Sequence, residues 1–472
     1  MKHIAILGAG PAGCGAAWKL AREKKARVTL IERNEALGGN AGSIPWQGHI
    51  LDYGSHRLHP STDPAIMADI KGFLGEGLLD RPRHGRIRLL GKWVHFPLKP
   101  ADLLLHLDKG FTLGAAFDTA SKLLPKSKPA AESFASVLGR ALGKTICKHF
   151  YFPYAKKIWG RDPESLSAIQ AYKRVSAGSI TKLVKKIAGQ IPGLKKKGSG
   201  RFFYPRGGFG AISEAYAVQA VKEGAQLLAG ATVTSLAMSA NGVERWSIAV
   251  ERGSTKQTIE ADQVWSTLPI PAVAKMLSPA APAAVLEAAR SLSYRAMVLV
   301  YLELDVEQFT EFDAHYFPEE AIVMTRMSEP KNYAVRSEPK GKTVLCAEVP
   351  CDFGDRIWSM GDADLGKLIA ADLERTGLPL VRPPIAVTTR RLPQAYPIYL
   401  TGYERPFKVL DDFADGLPNF LTYGRQGLFA HDNTHHALAM AYGAAACLEG
   451  GVFDRTKWQE LRHEFARHVV ED

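Results

Sequence analysis

The sequence predicts an α/β fold in which a parallel-sheet domain is interleaved with a helical insertion and a mixed-sheet domain. Three observations predict it. Residues 3–7, "HIAIL", form a short apolar strand running into a glycine turn, an alanine-rich helix and a second strand, "RVTLIER" at 27–33, so the chain opens as a βαβ unit. Near the other end, "PNFLTYG" at 418–424 reads as a strand and "THHALAMAYGAAACLE" at 434–449 as a helix. Between them the pattern switches to helical stretches and back to strands, with no repeat, low-complexity block or long linker. The domains therefore sit within one another rather than in series.

In chain order, residues 1–60, 201–290 and 410–450 are assigned to the parallel-sheet domain, with a helix over 210–223 and strands at "ATVTSLAM", "RWSIAVER" and "DQVWSTLP". Residues 61–200 read as a mainly helical insertion or cap, carrying "ESFASVLGRALGKTICKHFYFPYAKKIWG" and short strand-like pieces such as "RIRLLGKWVHFP". Residues 291–409 supply strands of a second sheet, at "YRAMVLVYLEL" and "TVLCAEV", and 451–472 close the chain as an amphipathic helix.

Composition narrows the function classes. The 472 residues are 46% hydrophobic and 23% charged, which is ordinary for a globular protein of two or three domains. Five scattered cysteines show neither metal-ligand spacing nor a disulfide framework, so a reducing, cytoplasmic setting is expected. No apolar run is long enough to span a bilayer. The net charge of +12 is concentrated between about residues 81 and 206. No zinc-finger or RNP-type signature accompanies it, which argues against nucleic acid. The basic segment 182–201 is instead a candidate for peripheral contact with an anionic membrane, or for a solvated surface.

The chemistry-bearing motif lies at the start. Gly8, Gly10 and Gly13 form G-x-G-x-x-G between strand and helix. Gly8 permits the tight turn, Gly10 lets backbone approach a pyrophosphate, and Gly13 permits close helix–strand packing. The helix N-terminus offers unpaired N–H groups to the phosphates. Glu32, at the end of the second strand, stands where a carboxylate accepts from an adenosine ribose, with Arg33 beside it. A further pair, Gly38 and Gly39, followed by Asn40, suits a cofactor whose diphosphate and ribityl chain pass close to backbone. That reading makes the first domain Rossmann-like and the cofactor FAD, with NAD(P) as the alternative.

These motifs resemble the start of the FAD-dependent amine oxidase and protoporphyrinogen oxidase superfamily. Within it, "GGNAGSIPWQGHILDYGSHRLHPS" is similar to the equivalent region of bacterial UDP-galactopyranose mutases, where a YG-x-H-x-x-H segment lies against the flavin. "YAKKIWG", "RFFYPRGGFG", "MTRMSEPKNY" and "YGRQGLFAHDN" are similar to later segments of the same enzymes, in the same order. The resemblance implies an FAD fold in which Tyr53, Gly54, Ser55, His56, Val233, Gly424, Arg425 and Phe429 join the glycines and Glu32 in holding the cofactor. It makes His56 and His59 candidates for contact with the flavin, Trp159 a candidate for stacking in the substrate cleft, and Arg326 a candidate clamp for an anionic group. Arg57 reads as solvated, and Arg201 and Arg206 as weaker phosphate candidates. Where the mutases carry diphosphate-binding tyrosines, this chain has Phe429 and His431, and "SAGS" replaces an arginine-bearing run after Val175. His435 and His436, without a Cys or acidic cluster nearby, do not read as a metal site.

The expected function is FAD-dependent oxidoreduction of a small or amphipathic biosynthetic substrate. The alternatives are a mutase-like, non-redox isomerase that uses reduced flavin on a nucleotide- or phosphate-linked sugar, and a flavin-binding protein of the membrane surface. A monomer or homodimer is expected.

Overall fold

The computed structural model describes residues 1–96, 132–174, 200–238 and 245–470, together with 110, 111, 113, 114, 117 and 118. At its centre is a five-stranded parallel sheet in the order Phe420–Thr422, Gln263–Ser266, His3–Leu7, Arg27–Ile31, Gln226–Leu228. The first strand is buried along its whole length, and its side chains alternate between two cores, as a period of two requires. Ile4 and Ile6 face the helices Pro11–Arg22, Ala211–Lys222 and Thr434–Ala446. Ala5 and Leu7 face a four-stranded sheet built from Thr255–Ala261, Trp246–Arg252, Thr232–Met238 and Leu277–Ser278.

The first helix begins with Pro11 and carries Lys19 and Arg22 in its last turn, which complements the helix dipole. Its small residues let it approach its neighbours closely. A Cβ at Gly15 would lie 2.9 Å from Leu438 and 3.2 Å from Ala441.

The second domain is a seven-stranded mixed sheet in the order Ala386–Ile398, Ser293–Leu304, Thr343–Cys351, Arg326–Ser328, Ala314–Tyr316, Gly85–Leu89, Lys92–Phe96. The strand-like pieces of 61–200 thus extend this sheet, and Leu78–Pro82 pairs with Arg201–Pro205. The remaining described part of that segment is helical. Helices Phe134–Leu142, Phe152–Trp159 and Ala168–Arg174 share a core around Leu138, Trp159 and Leu166. Helix Arg455–Phe465 packs on Thr434–Ala446, and the residues after it turn inward, where Val470 N–H donates to the Lys173 carbonyl at 2.9 Å.

Among the described residues, no helix is long and apolar enough to cross a membrane. Of the basic segment 182–201, on which the expected membrane contact falls, residues 182–199 lie outside the described residues. Arg201 lies at the surface, where it pairs with Asp80 at 2.8 Å.

Candidate active site

The glycine turn is shaped by contacts a larger residue would break. Gly8 has φ +95°. A Cβ at Gly13 would fall 1.8 Å from the Gly8 carbonyl oxygen. The second glycine pair closes against the first: Gly38 N–H donates to the Ala9 carbonyl at 2.9 Å, and a Cβ on Gly39 would meet the Gly10 Cα at 3.4 Å. The buried Glu32 carboxylate accepts from Ala9 N at 2.9 Å and from the backbone and side-chain nitrogens of Asn34 at 3.0 and 2.8 Å. These bonds aim it along the cleft.

From here a cavity of about 420 Å³ runs between the two sheets. Gly8, Gly10, Glu32, Arg33, Gly39, Asn40 and Val233 line one end. Tyr53, Ser55, His56, Arg57, Arg326, Glu348, Arg390, Arg391, Tyr396 and Arg425 line the rest.

The turn at 53–59 is rigid for local reasons. Buried Asp52 accepts from Ser43 Oγ at 2.6 Å, from Phe209 N at 2.9 Å and from the Tyr204 hydroxyl. Gly54 has φ +103°, and a Cβ there would sit 3.2 Å from Glu348 Oε1. His56 stacks on Phe209 and donates Nε2–H to the Asn40 and Tyr53 carbonyls at 3.0 and 2.9 Å, which leaves Nδ1 as the lone-pair nitrogen. Burial lowers its pKa, against the opposing pull of Asp52 and Glu348.

Arg326 is placed differently from the expected free clamp. It lines the cavity but is engaged in a two-pronged pair with Glu348, at 2.9 and 2.8 Å, and Ser55 N donates to the same carboxylate at 2.7 Å. Burial alone would raise the Glu348 pKa, but the Arg326 guanidinium outweighs it and holds the carboxyl below the ordinary value. Arg57 is a clear correction. It is not solvated but engaged, its side chain only 10% exposed, pairing with Asp313 at 3.2 Å and donating to the Tyr316 and Tyr333 hydroxyls at 3.1 Å.

Seven expected site residues are not part of the cavity lining: Gly13, Gly38, Gly54 and Gly424 shape the turns around it, while Trp159, His59 and Phe429 lie away from it. Trp159 packs edge-on against Phe134 and His431 in the helical core. His59 bonds Ser61 at 2.7 Å and stacks near His435. Phe429, at φ +49°, lies behind the wall among Tyr294, Tyr399, Tyr403 and Phe407. Gly424 (φ +75°) would place a Cβ 2.8 Å from Ala12 Cβ, and so sets the final turn against the first helix. Arg425 then donates to the Ala395 and Asp432 carbonyls at 2.9 and 3.3 Å and lies over Tyr396.

Sequence reasoning missed Glu348, Arg390, Arg391, Tyr396 and Asp432. A lone acid inside the apolar strand "TVLCAEV" was an available signal for Glu348, since a carboxylate is buried only with a partner. Asp432 was legible only as an acid four residues before His436.

A paired glycine cradle, a strand-end carboxylate and one long cavity joining them to a second sheet describe a flavin site. Residues 11–446 match the model of the family described as Flavin containing amine oxidoreductase. The chain belongs to that family. It is a flavoenzyme with FAD as its cofactor. This amine oxidoreductase family member is 24% identical to the coproporphyrinogen III oxidase of Bacillus subtilis (strain 168) over 437 residues, covering 87% of this chain and 90% of that protein. It is 28% identical to the mitochondrial protoporphyrinogen oxidase of Nicotiana tabacum over 173 residues, or 35% and 34% of the two chains. Its fold is that of a reduced UDP-galactopyranose mutase (TM-score 0.80, 18% identity, 97% and 96% covered). It is also that of a putrescine oxidase bound to putrescine (TM-score 0.65, 17% identity, 94% and 98% covered).

The residues present fit FAD. Backbone, not side chain, faces the Gly10–Gly39 approach, and the oriented Glu32 carboxylate closes the end where a ribose would bind.

Proposed function

We propose that this enzyme is an FAD-dependent oxidoreductase that dehydrogenates a small, amphipathic, anionic biosynthetic substrate. The observation that carries the reading is the charge of the cavity wall. Seven arginines line it (Arg33, Arg57, Arg83, Arg326, Arg390, Arg391, Arg425), against three acids (Glu32, Glu348, Asp432). Such a wall favours carboxylate or phosphate groups and opposes a diamine. Carboxylated, amphipathic compounds of the porphyrinogen kind fit that charge, and the two curated relatives support the same direction.

Bound FAD supplies the two-electron acceptor. The chain's own groups orient and exclude water. His56, neutral, its Nε2–H engaged by two carbonyls, presents Nδ1 as an acceptor. Arg390 lies over the Tyr53 ring with its centre 4.8 Å from the centroid, and is the arginine best placed to take a substrate anion. Arg326 and Glu348 lock the turn that carries His56.

The same charge suits a phosphate-linked sugar, so mutase-like isomerisation on reduced flavin is the second reading. Anaerobic mixing with a carboxylated porphyrinogen separates them. Bleaching of the flavin absorbance is expected. A flavin that stays oxidised, with turnover of nucleotide sugars only after dithionite reduction, would overturn the first reading in favour of the second.

A further inference from the structure

The C-terminal segment brings a group to the cavity that the reading so far leaves unused. Asp432 lines the cavity, and its carboxylate is completely buried. His436 Nδ1 and His468 Nδ1 lie 3.5 and 3.6 Å from Asp432 Oδ1. The two imidazoles stack at 4.1 Å with their planes 14° apart. Val470, two residues further on, also lines the cavity.

Two imidazoles and a carboxylate invite a metal reading, but the rings oppose it. An ion bound by both must lie near both ring planes at about 2.1 Å from each nitrogen. Stacked, nearly parallel planes do not meet there. The arrangement suits a proton instead. His436 Nδ1 accepts from Asn433 N–H at 3.2 Å, so it carries no proton at that nitrogen. His468 Nδ1 is therefore the nitrogen able to share one with Asp432. The His468 side chain is 20% exposed while the Asp432 carboxylate is fully buried, so the pair leads from the cavity outward.

We propose that Asp432 and His468 form the proton exit of the cavity, with His436 positioning the His468 ring by stacking. This rests on the dehydrogenase reading. With FAD bound to accept the hydride, Asp432 would take the proton that the substrate gives up as its new π bond forms. The proton then passes to His468 Nδ1 and out to solvent.

The surroundings are consistent with that path. Asp432 is faced by Lys173 from the helix Ala168–Arg174, by His436 and His468, by Tyr399 from the end of the mixed sheet, and by Arg425 through its backbone carbonyl. Phe465 flanks His468, and His435 flanks His436, with His59 beyond it. Burial opposes ionisation of Asp432, but His468, His436 and Lys173 outweigh it and hold the carboxyl below its ordinary value.

The test uses the holoenzyme, its D432N and H468Q variants, and single-turnover flavin reduction by a carboxylated porphyrinogen across pH. H468Q should slow reduction at least tenfold, and added imidazole should restore the rate, which a merely structural loss would not allow. D432N should slow it similarly and resist rescue. Independently, 15N NMR of the labelled histidines at fixed pH should place a proton on His468 Nδ1 in the wild type and show its loss from that nitrogen in D432N. Wild-type rates and pH profile in H468Q, an unchanged His468 tautomer in D432N, or stoichiometric bound metal lost in H468Q would each overturn the proposal. If the wild-type flavin is not reduced at all, the dehydrogenase reading fails. The tautomer measurement then still decides whether Asp432 and His468 share a proton.

Discussion

At the scale of single residues, two kinds of information separate. The glycines and Glu32 were legible because their partners lie within one βαβ unit, so spacing alone encodes the geometry. Gly13→Ala should therefore act locally and severely: its methyl would enter the Gly8 carbonyl at 1.8 Å. The variant is expected to purify without flavin colour and with a lowered Tm. Arg326 reads from the sequence as a clamp for an anion, and the structure sets it on the cavity wall as half of an ion pair. Its partner Glu348 is 22 residues away, and no short-range pattern reports that. Glu348→Gln leaves a buried guanidinium without its counter-charge, at a cost of about 3 kcal/mol. Urea unfolding should show that loss, together with a disturbed flavin spectrum, since Ser55 loses its carboxylate acceptor too.

Strand register is what converts such residues into a site. Arg326–Ser328 pairs antiparallel with Thr343–Cys351, setting Arg326 directly opposite Glu348. The apolar strands of this sheet were readable from composition. The 13-residue strand Ala386–Ile398 was not, because "AVTTRRLPQAYPI" contains two prolines, two arginines and no clean alternation. Its polarity has two causes: Arg390, Gln394 and Tyr396 line the cavity, while the Arg391 guanidinium donates to the Trp358 and Met360 carbonyls. The same sheet carries a titratable liability. His315, on Ala314–Tyr316, is buried against Trp93 and Phe312. Burial, aided by Arg86, pushes its pKa from 6.5 down to about 3. Between those values the unfolded chain binds a proton that the native chain refuses, so stability is full above pH 6.5 and falls as pH drops towards 3. The slope from this group reaches at most about 1.4 kcal/mol per pH unit. Urea midpoints at neutral and acid pH should differ less in His315→Phe than in the wild type.

Across the whole molecule, the cavity has walls from nearly every part of the chain, from Gly8 to Val470. The interleaving was readable because the two ends share one pattern. What sequence did not convey was that strands from the insertion join the mixed sheet, since those strands are short and their partners distant. A chain ended after residue 290 keeps the whole glycine motif but lacks five of the seven strands of the mixed sheet, the strand Phe420–Thr422 and the Gly424–Asp432 wall. Such a fragment is expected to bind no FAD in fluorescence titration, however well its first helix forms.

The same sheet order has a consequence for how the protein is made. Gln263–Ser266 sits between His3–Leu7 and Phe420–Thr422, so during synthesis it emerges with one edge unpaired and stays so until most of the chain has left the ribosome. An open parallel edge is an invitation to wrong partners. Cofactor capture is therefore a late event in the life of each molecule. Its yield in cells should depend on chaperone supply and elongation rate as much as on flavin itself.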